Sequence, residues 1–180
     1  MSQPTDDTYD GVIGAFPYAF GATDSRLCRA YVVVGGLVAV LVSGLFVLAV
    51  ISLIGATIGT PGGFMTSSRA FYVLVALLVV APLLAPTLLV ARRHRRGDAD
   101  RRYDRALAAS GFLFVLSLYL GLVASMPPSF VLDSETVTRP AADGLFAPLV
   151  ELLYAIPAPA APVVPAMAAA IMALAHRRYR

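Results

Sequence analysis

Lysine, asparagine and tryptophan are absent from this 180-residue chain, and glutamine and cysteine occur once each. All 14 basic residues are therefore Arg. A single cysteine excludes an internal disulfide. Charged residues make up 14% of the chain and hydrophobic residues 58%, whereas a soluble domain carries about 25% and 45–50%. The scarcity of charge is also uneven. Tyr31 to Ile58, Phe71 to Ala91 and Ala106 to Met126 contain no Asp, Glu, Lys, Arg or His. A helix crosses the bilayer's hydrocarbon core with roughly 20 apolar residues, and each run is that long. The composition is that of an integral membrane protein, with no room for a second, soluble domain of normal size.

The spans fall at about 31–56, 70–91 and 106–126, with a fourth at about 158–178. The fourth opens on prolines, which a helix tolerates in its first turn because their missing N–H groups have no partner there anyway. The expected fold is all-α: a four-transmembrane-helix bundle forming one membrane domain, 11–180, behind an acidic, disordered tail, 1–10. Two short interfacial helices accompany it. Residues 11–20, with Phe16, Tyr18 and Phe20, suit the headgroup boundary of the inner leaflet; docking a partner protein is the other use for such a segment. Residues 145–156 would lie on the outer surface. The rival for that segment is a re-entrant half-helix joined to the fourth span through an unwound Pro157–Pro165 stretch, as transporters build their sites.

Orientation follows from the loops, because Arg accumulates on the cytoplasmic side. Arg26 and Arg29 precede span one, seven Arg lie between spans two and three, and three end the chain. Arg69 and Arg139 alone lie in the other two segments, so twelve face two. Both termini are expected in the cytoplasm of a multi-pass protein of the cell membrane. Arg92, Arg93, Arg95, Arg96, Arg177 and Arg178 sit directly at span ends, where they would meet lipid phosphates rather than nucleic acid.

Small residues let membrane helices approach closely. Gly35, Ala39 and Ser43 in span one, and Ser117, Gly121 and Ser125 in span three, recur at four-residue intervals. They are expected to bring spans one and three together or, alternatively, to form a homo-oligomer interface. Asp24, Arg26, Arg29, Ala30 and Gly35 also recur 76 residues later as Asp100, Arg102, Arg105, Ala106 and Gly111. Duplication of a helical hairpin or chance would each produce that. Pro82 and Pro86 predict a kink in span two, structural or a functional hinge.

The search for chemistry returns little. The chain lacks His-Glu-x-x-His, Gly-x-Ser-x-Gly and a P-loop. His94 and His176 lie in Arg clusters unsuited to a shared metal, and Asp98, Asp100 and Asp104 are spaced for salt bridges with Arg101 and Arg105. No catalytic, metal or cofactor site is expected. Cys28, between Arg26 and Arg29, is either a small residue at a helix start or a thiol activated by nearby cations. Glu151 is the one acid with apolar neighbours on both sides. On a surface helix it faces water; within the membrane it would be a proton or cation site.

Ala15-Phe-Pro-Tyr-Ala-Phe20, Asp24-Ser-Arg26 and Arg29-Ala-Tyr-Val32 resemble an uncharacterised family of small four-helix integral membrane proteins of halophilic archaea. The resemblance implies the same fold over most of the chain and brings no known activity. The role expected from the residues is a non-enzymatic accessory or scaffolding subunit, interacting with membrane lipids and assembling as a homo-oligomer or within a larger membrane complex. The alternative is a small oligomeric transporter or channel.

Overall fold

The computed structural model describes residues 11–57, 63–132 and 134–179. Helix α1 (Gly11–Ala22) is followed by α2 (Arg26–Thr57), α3 (Gly63–Arg95) and α4 (Arg101–Ala124). A two-stranded hairpin, β1 (Ser129–Leu132) and β2 (Glu135–Thr138), comes next, then α5 (Ala147–Tyr154), a 3₁₀ turn at Ala158–Ala160, and α6 (Val163–Tyr179). Four helices are long and apolar enough to cross a membrane: α2, α3 from Ser67, α4, and α6 with the preceding turn. The acidic tail 1–10 lies outside the described residues.

The four long helices form two hairpins, α2–α3 and α4–α6, and α4 packs on α2, α3 and α6. Burial is unequally shared. On α2 the buried residues from Cys28 to Ala39 all lie in its first half, with Thr57 alone at the other end. On α3 they run from Leu83 to Ala91, in its second half. On α4 they run from Tyr103 to Ala124, the whole helix. The core therefore sits at the Arg-rich end, where α3 and α6 finish and α4 begins. The far halves of α2 and α3 keep Leu45, Leu48, Ile51, Phe71, Leu74 and Leu78 exposed.

Pro82 and Pro86 interrupt hydrogen bonding without ending α3, which runs continuously past both. Leu83, between them, accepts a 2.8 Å hydrogen bond on its carbonyl from the Tyr31 hydroxyl of α2. At the Arg-poor end the chain between α4 and α5 is ordered as a hairpin, with Val131 opposite Thr136 and Ser129 opposite Thr138. β-Branched residues favour that extended backbone, and alternation over so few residues is a weak signal in sequence. Arg139 anchors the hairpin. Its N–H donates to the Pro128 carbonyl, its guanidinium to the Met126 carbonyl, and the guanidinium lies 4.0 Å over the Tyr154 ring of α5.

Helix α1 lies against the longer helices. It packs along α3 and α2, with Ala15 and Ala19 completely buried. The Phe16 ring would lie 3.0 Å from a β-carbon on Gly36, ten residues into α2 and so about 15 Å along its axis. Ala at two positions one turn apart gives α1 a flat face on which the longer helices can close. Helix α5 lies beside the end of α4. Its one buried residue, Leu153, packs with Ala124 and Ala161 at the end of α4, and the rest of the helix is exposed or half-buried.

Candidate functional site: a buried polar layer at the Arg-rich end

Thr23, Ser25 and Asp104 are at most 1% exposed, although none is apolar. Ser25 caps α2: its hydroxyl accepts from the Cys28 N–H, satisfying a donor that the helix start leaves without a partner. Thr23, in the link between α1 and α2, accepts on its hydroxyl from the Ser25 N–H and donates it to Asp104 Oδ2 at 2.5 Å. His94 Nε2, from the last turn of α3, lies 2.9 Å from the same carboxylate oxygen. Asp104 occupies the first turn of α4, where the helix's partial positive charge favours an acid. Its other oxygen, Oδ1, is buried with no hydrogen-bond partner among the described residues. This corrects the expectation of exposed salt bridges to Arg101 and Arg105.

A second set of contacts lies one residue away. Tyr103 Oη is 2.8 Å from Nδ1 of His176 on α6. The Arg93 guanidinium sits 4.2 Å over the Tyr103 ring and donates to the carbonyls of Asp98 and Tyr179. Consecutive residues of α3, Arg93 and His94, thus engage consecutive residues of α4, Tyr103 and Asp104. Together the contacts join the α1–α2 link to the ends of α3 and α6 and the start of α4. Chemically the layer can hold a buried ion pair and lock helix ends in register. Among the described residues no group of three His, Cys, Asp or Glu could hold a metal ion.

The helical phase of α4 contained a signal for Asp104. Tyr103, Asp104, Leu107, Ala108 and Gly111 follow the three- and four-residue spacing of one face, so a carboxylate at that phase had to be buried. Thr23 and His94 gave no such signal, because their partner is far away in sequence. Cys28 is 2% exposed, and it feels the charge of Asp104 and a hydrogen bond with the Thr23 hydroxyl. It is a buried residue of the helix start, out of reach of attack, which corrects the reading of a thiol activated by Arg26 and Arg29.

The six packing positions do not all face the same partner. Gly35 and Ala39 are buried, and the ring of Tyr31 lies over both Gly35 and Gly111, where α2 meets α4. Gly121 faces α6: a β-carbon there would be 3.3 Å from Pro165. Ser117 is buried and donates to the Phe114 carbonyl of its own helix, while Ser125 is exposed and caps α4. Ser43 lines an open apolar groove of about 760 Å³ between α1 and α2. A four-residue step advances about 40° beyond a full helical turn, so a stripe at that spacing winds from one neighbour to the next.

Arg92, Arg95, Arg96, Arg177 and Arg178 are exposed at the expected end. Arg93 is the exception, half-buried and held by the contacts above. Glu151 is exposed and borders a shallow hollow with Arg139 and Tyr154. It lies on α5, outside the bundle.

Across all its residues, 1–180, the chain matches the family model described as Domain of unknown function (DUF8056). The chain belongs to the DUF8056 family. No curated protein and no solved structure matches it. In this chain four helices of membrane-spanning length are tied together at one end by a buried polar layer.

Proposed function

We propose that the protein is a multi-pass protein of the archaeal cell membrane, both termini cytoplasmic, that works as a non-enzymatic accessory or scaffolding subunit. The observation that carries this reading is the separation of polar and apolar roles along the bundle. The one buried carboxylate among the described residues, Asp104, is bound into the layer at the Arg-rich end. Beyond that layer α2 and α3 present a long apolar face that no other described residue covers. A groove floored by Gly36 and Ala39 between α1 and α2 meets another, of about 420 Å³, between α2 and α3, the two sharing Ser43 and Val80. Such a face suits the helix of another subunit, whether a second copy or a different protein, because small residues on its floor allow close approach. Glu151, on which a transporter would rely, is exposed.

The test places a photocrosslinking amino acid at Leu41 or Leu77, on the unpartnered face, and at Tyr119 of α4 as control, in the native host. Discrete protein adducts from the first two positions and only lipid adducts from the third are expected. Proton or cation flux through proteoliposomes of the purified protein, lost on a point substitution, would overturn the reading.

A further inference from the structure

Seven residues at the Arg-rich end line a small hollow of about 190 Å³: Leu89, Arg92, Arg93 and Arg96 of α3 and its C-terminal turn, with Asp98, Tyr103 and His176. Three Arg and one Asp line it, an excess of two positive charges before His176 is considered. The three Arg differ in what already holds them. Arg93 is a fixed wall, stacked on Tyr103 and bonded to two backbone carbonyls. The side chains of Arg92 and Arg96 make no hydrogen bond or ion pair with any described residue, and both line the hollow, one from the last turn of α3 and one from the turn that follows it. Two other acids of this end are engaged elsewhere. Asp104 is bound by His94 and Thr23, and Asp100 caps α4 by accepting from the Arg102 N–H.

We infer that this hollow is a binding site for a terminal phosphate group, clamped by Arg92 and Arg96 against the fixed charge of Arg93. A phosphomonoester carries about −1.5 to −2 charge near neutral pH and three acceptor oxygens, which matches the charge excess. Planar guanidiniums meet phosphate oxygens in a bidentate fork, a geometry that fixes position as well as charge. The group belongs either to a membrane lipid with an exposed phosphate headgroup or to free phosphate. The inference does not depend on the accessory role, since it uses only the end of α3 and its neighbours.

The experiment titrates the full-length protein in neutral detergent with short-chain phosphatidic acid, with phosphatidylcholine of the same chain length, and with inorganic phosphate, at fixed ionic strength. Bound molecules are counted by native mass spectrometry. One phosphatidic acid should be retained in preference to phosphatidylcholine. The double variant Arg92→Gln/Arg96→Gln should weaken it by about tenfold or more, the loss of roughly one charge-assisted contact. The double variant Arg101→Gln/Arg102→Gln removes the same charge from the exposed start of α4, outside the hollow, and should leave binding unchanged. Displacement by inorganic phosphate assigns the site to free phosphate; retention of the lipid in its presence assigns it to a headgroup. Equal loss in both double variants would reduce the effect to diffuse attraction and overturn the site. Failure to retain either phosphate probe would do the same. The side chains of Arg92 and Arg96 are exposed and have no partner among the described residues, so an unchanged melting temperature is expected and shows that the variant is folded.

Discussion

The aromatic ring of Tyr31 occupies the space that a methyl group on Gly111 would need, so α2 and α4 meet closely at this pair. The same ring meets Phe112 edge-on, with centroids 5.2 Å apart, and its hydroxyl reaches the Leu83 carbonyl of α3. One side chain thus joins three helices. Gly111→Ala should force the ring out and destabilise the fold by about 1–3 kcal/mol, as overpacking does. Gly44→Ala meets no atom within 4 Å and should be neutral or stabilising by about 0.5–1 kcal/mol. Reversible unfolding in mixed micelles measures both, and equal effects would show that the close approach is not there.

The buried pair at the Arg-rich end predicts non-additivity. His94→Ala and Asp104→Ala should each destabilise by about 3–5 kcal/mol, because each leaves a buried polar partner uncompensated. The double variant should cost less than the sum, since it removes both. A double-mutant cycle gives the coupling directly. Strict additivity would mean that the 2.9 Å contact does not contribute to folding.

Gly121→Leu should separate α4 from α6, not from α2. The new side chain meets Pro165 and the Ala161 carbonyl, and the expected loss is again about 1–3 kcal/mol. Pro165→Ala, introduced alongside, should recover part of it by making room. A recovery from Ala39→Gly on α2 instead would place the strain at the wrong interface.

At the Arg-poor end two charged residues should behave very differently. Glu151→Gln alters an exposed side chain and should change stability by less than about 0.5 kcal/mol. Arg139→Ala removes the stack on Tyr154 and the bond to the Met126 carbonyl, and should loosen the hairpin and α5 by roughly 1–2 kcal/mol. Faster hydrogen exchange at Val131, Val137 and Leu153 in the Arg variant alone is the expected result.

Much of this molecule was legible from its residues, and what escaped has a common cause. The apolar run placed the third span at about 106–126, a local feature, and the helix reaches back one further turn to Arg101, where Asp100 caps it; α6 tolerates Pro165 for a local reason too. Asp104 was half legible: its helical phase marked it for burial, but the seven Arg around it suggested surface salt bridges. The partner that decides the matter, His94, lies ten residues away across a turn, and Thr23 lies 81 away. Similarly, Gly121 announces a close approach without naming the helix that makes it.

What the sequence determined by itself was the existence, length and order of the long helices. Transfer of about 20 apolar residues out of water is a sum over one contiguous window, and no distant residue can reverse it. The tertiary structure decided that α1 lies along α2 and α3, that α5 sits at the end of α4, and that the polar layer gathers Thr23, His94 and Asp104. Those outcomes depend on which surfaces meet. An apolar helix in lipid gains little from hydrophobic burial against another helix, so its partners are chosen by close packing and by the satisfaction of a few buried polar atoms. Both are properties of pairs of segments, and they come into existence only when the chain has folded.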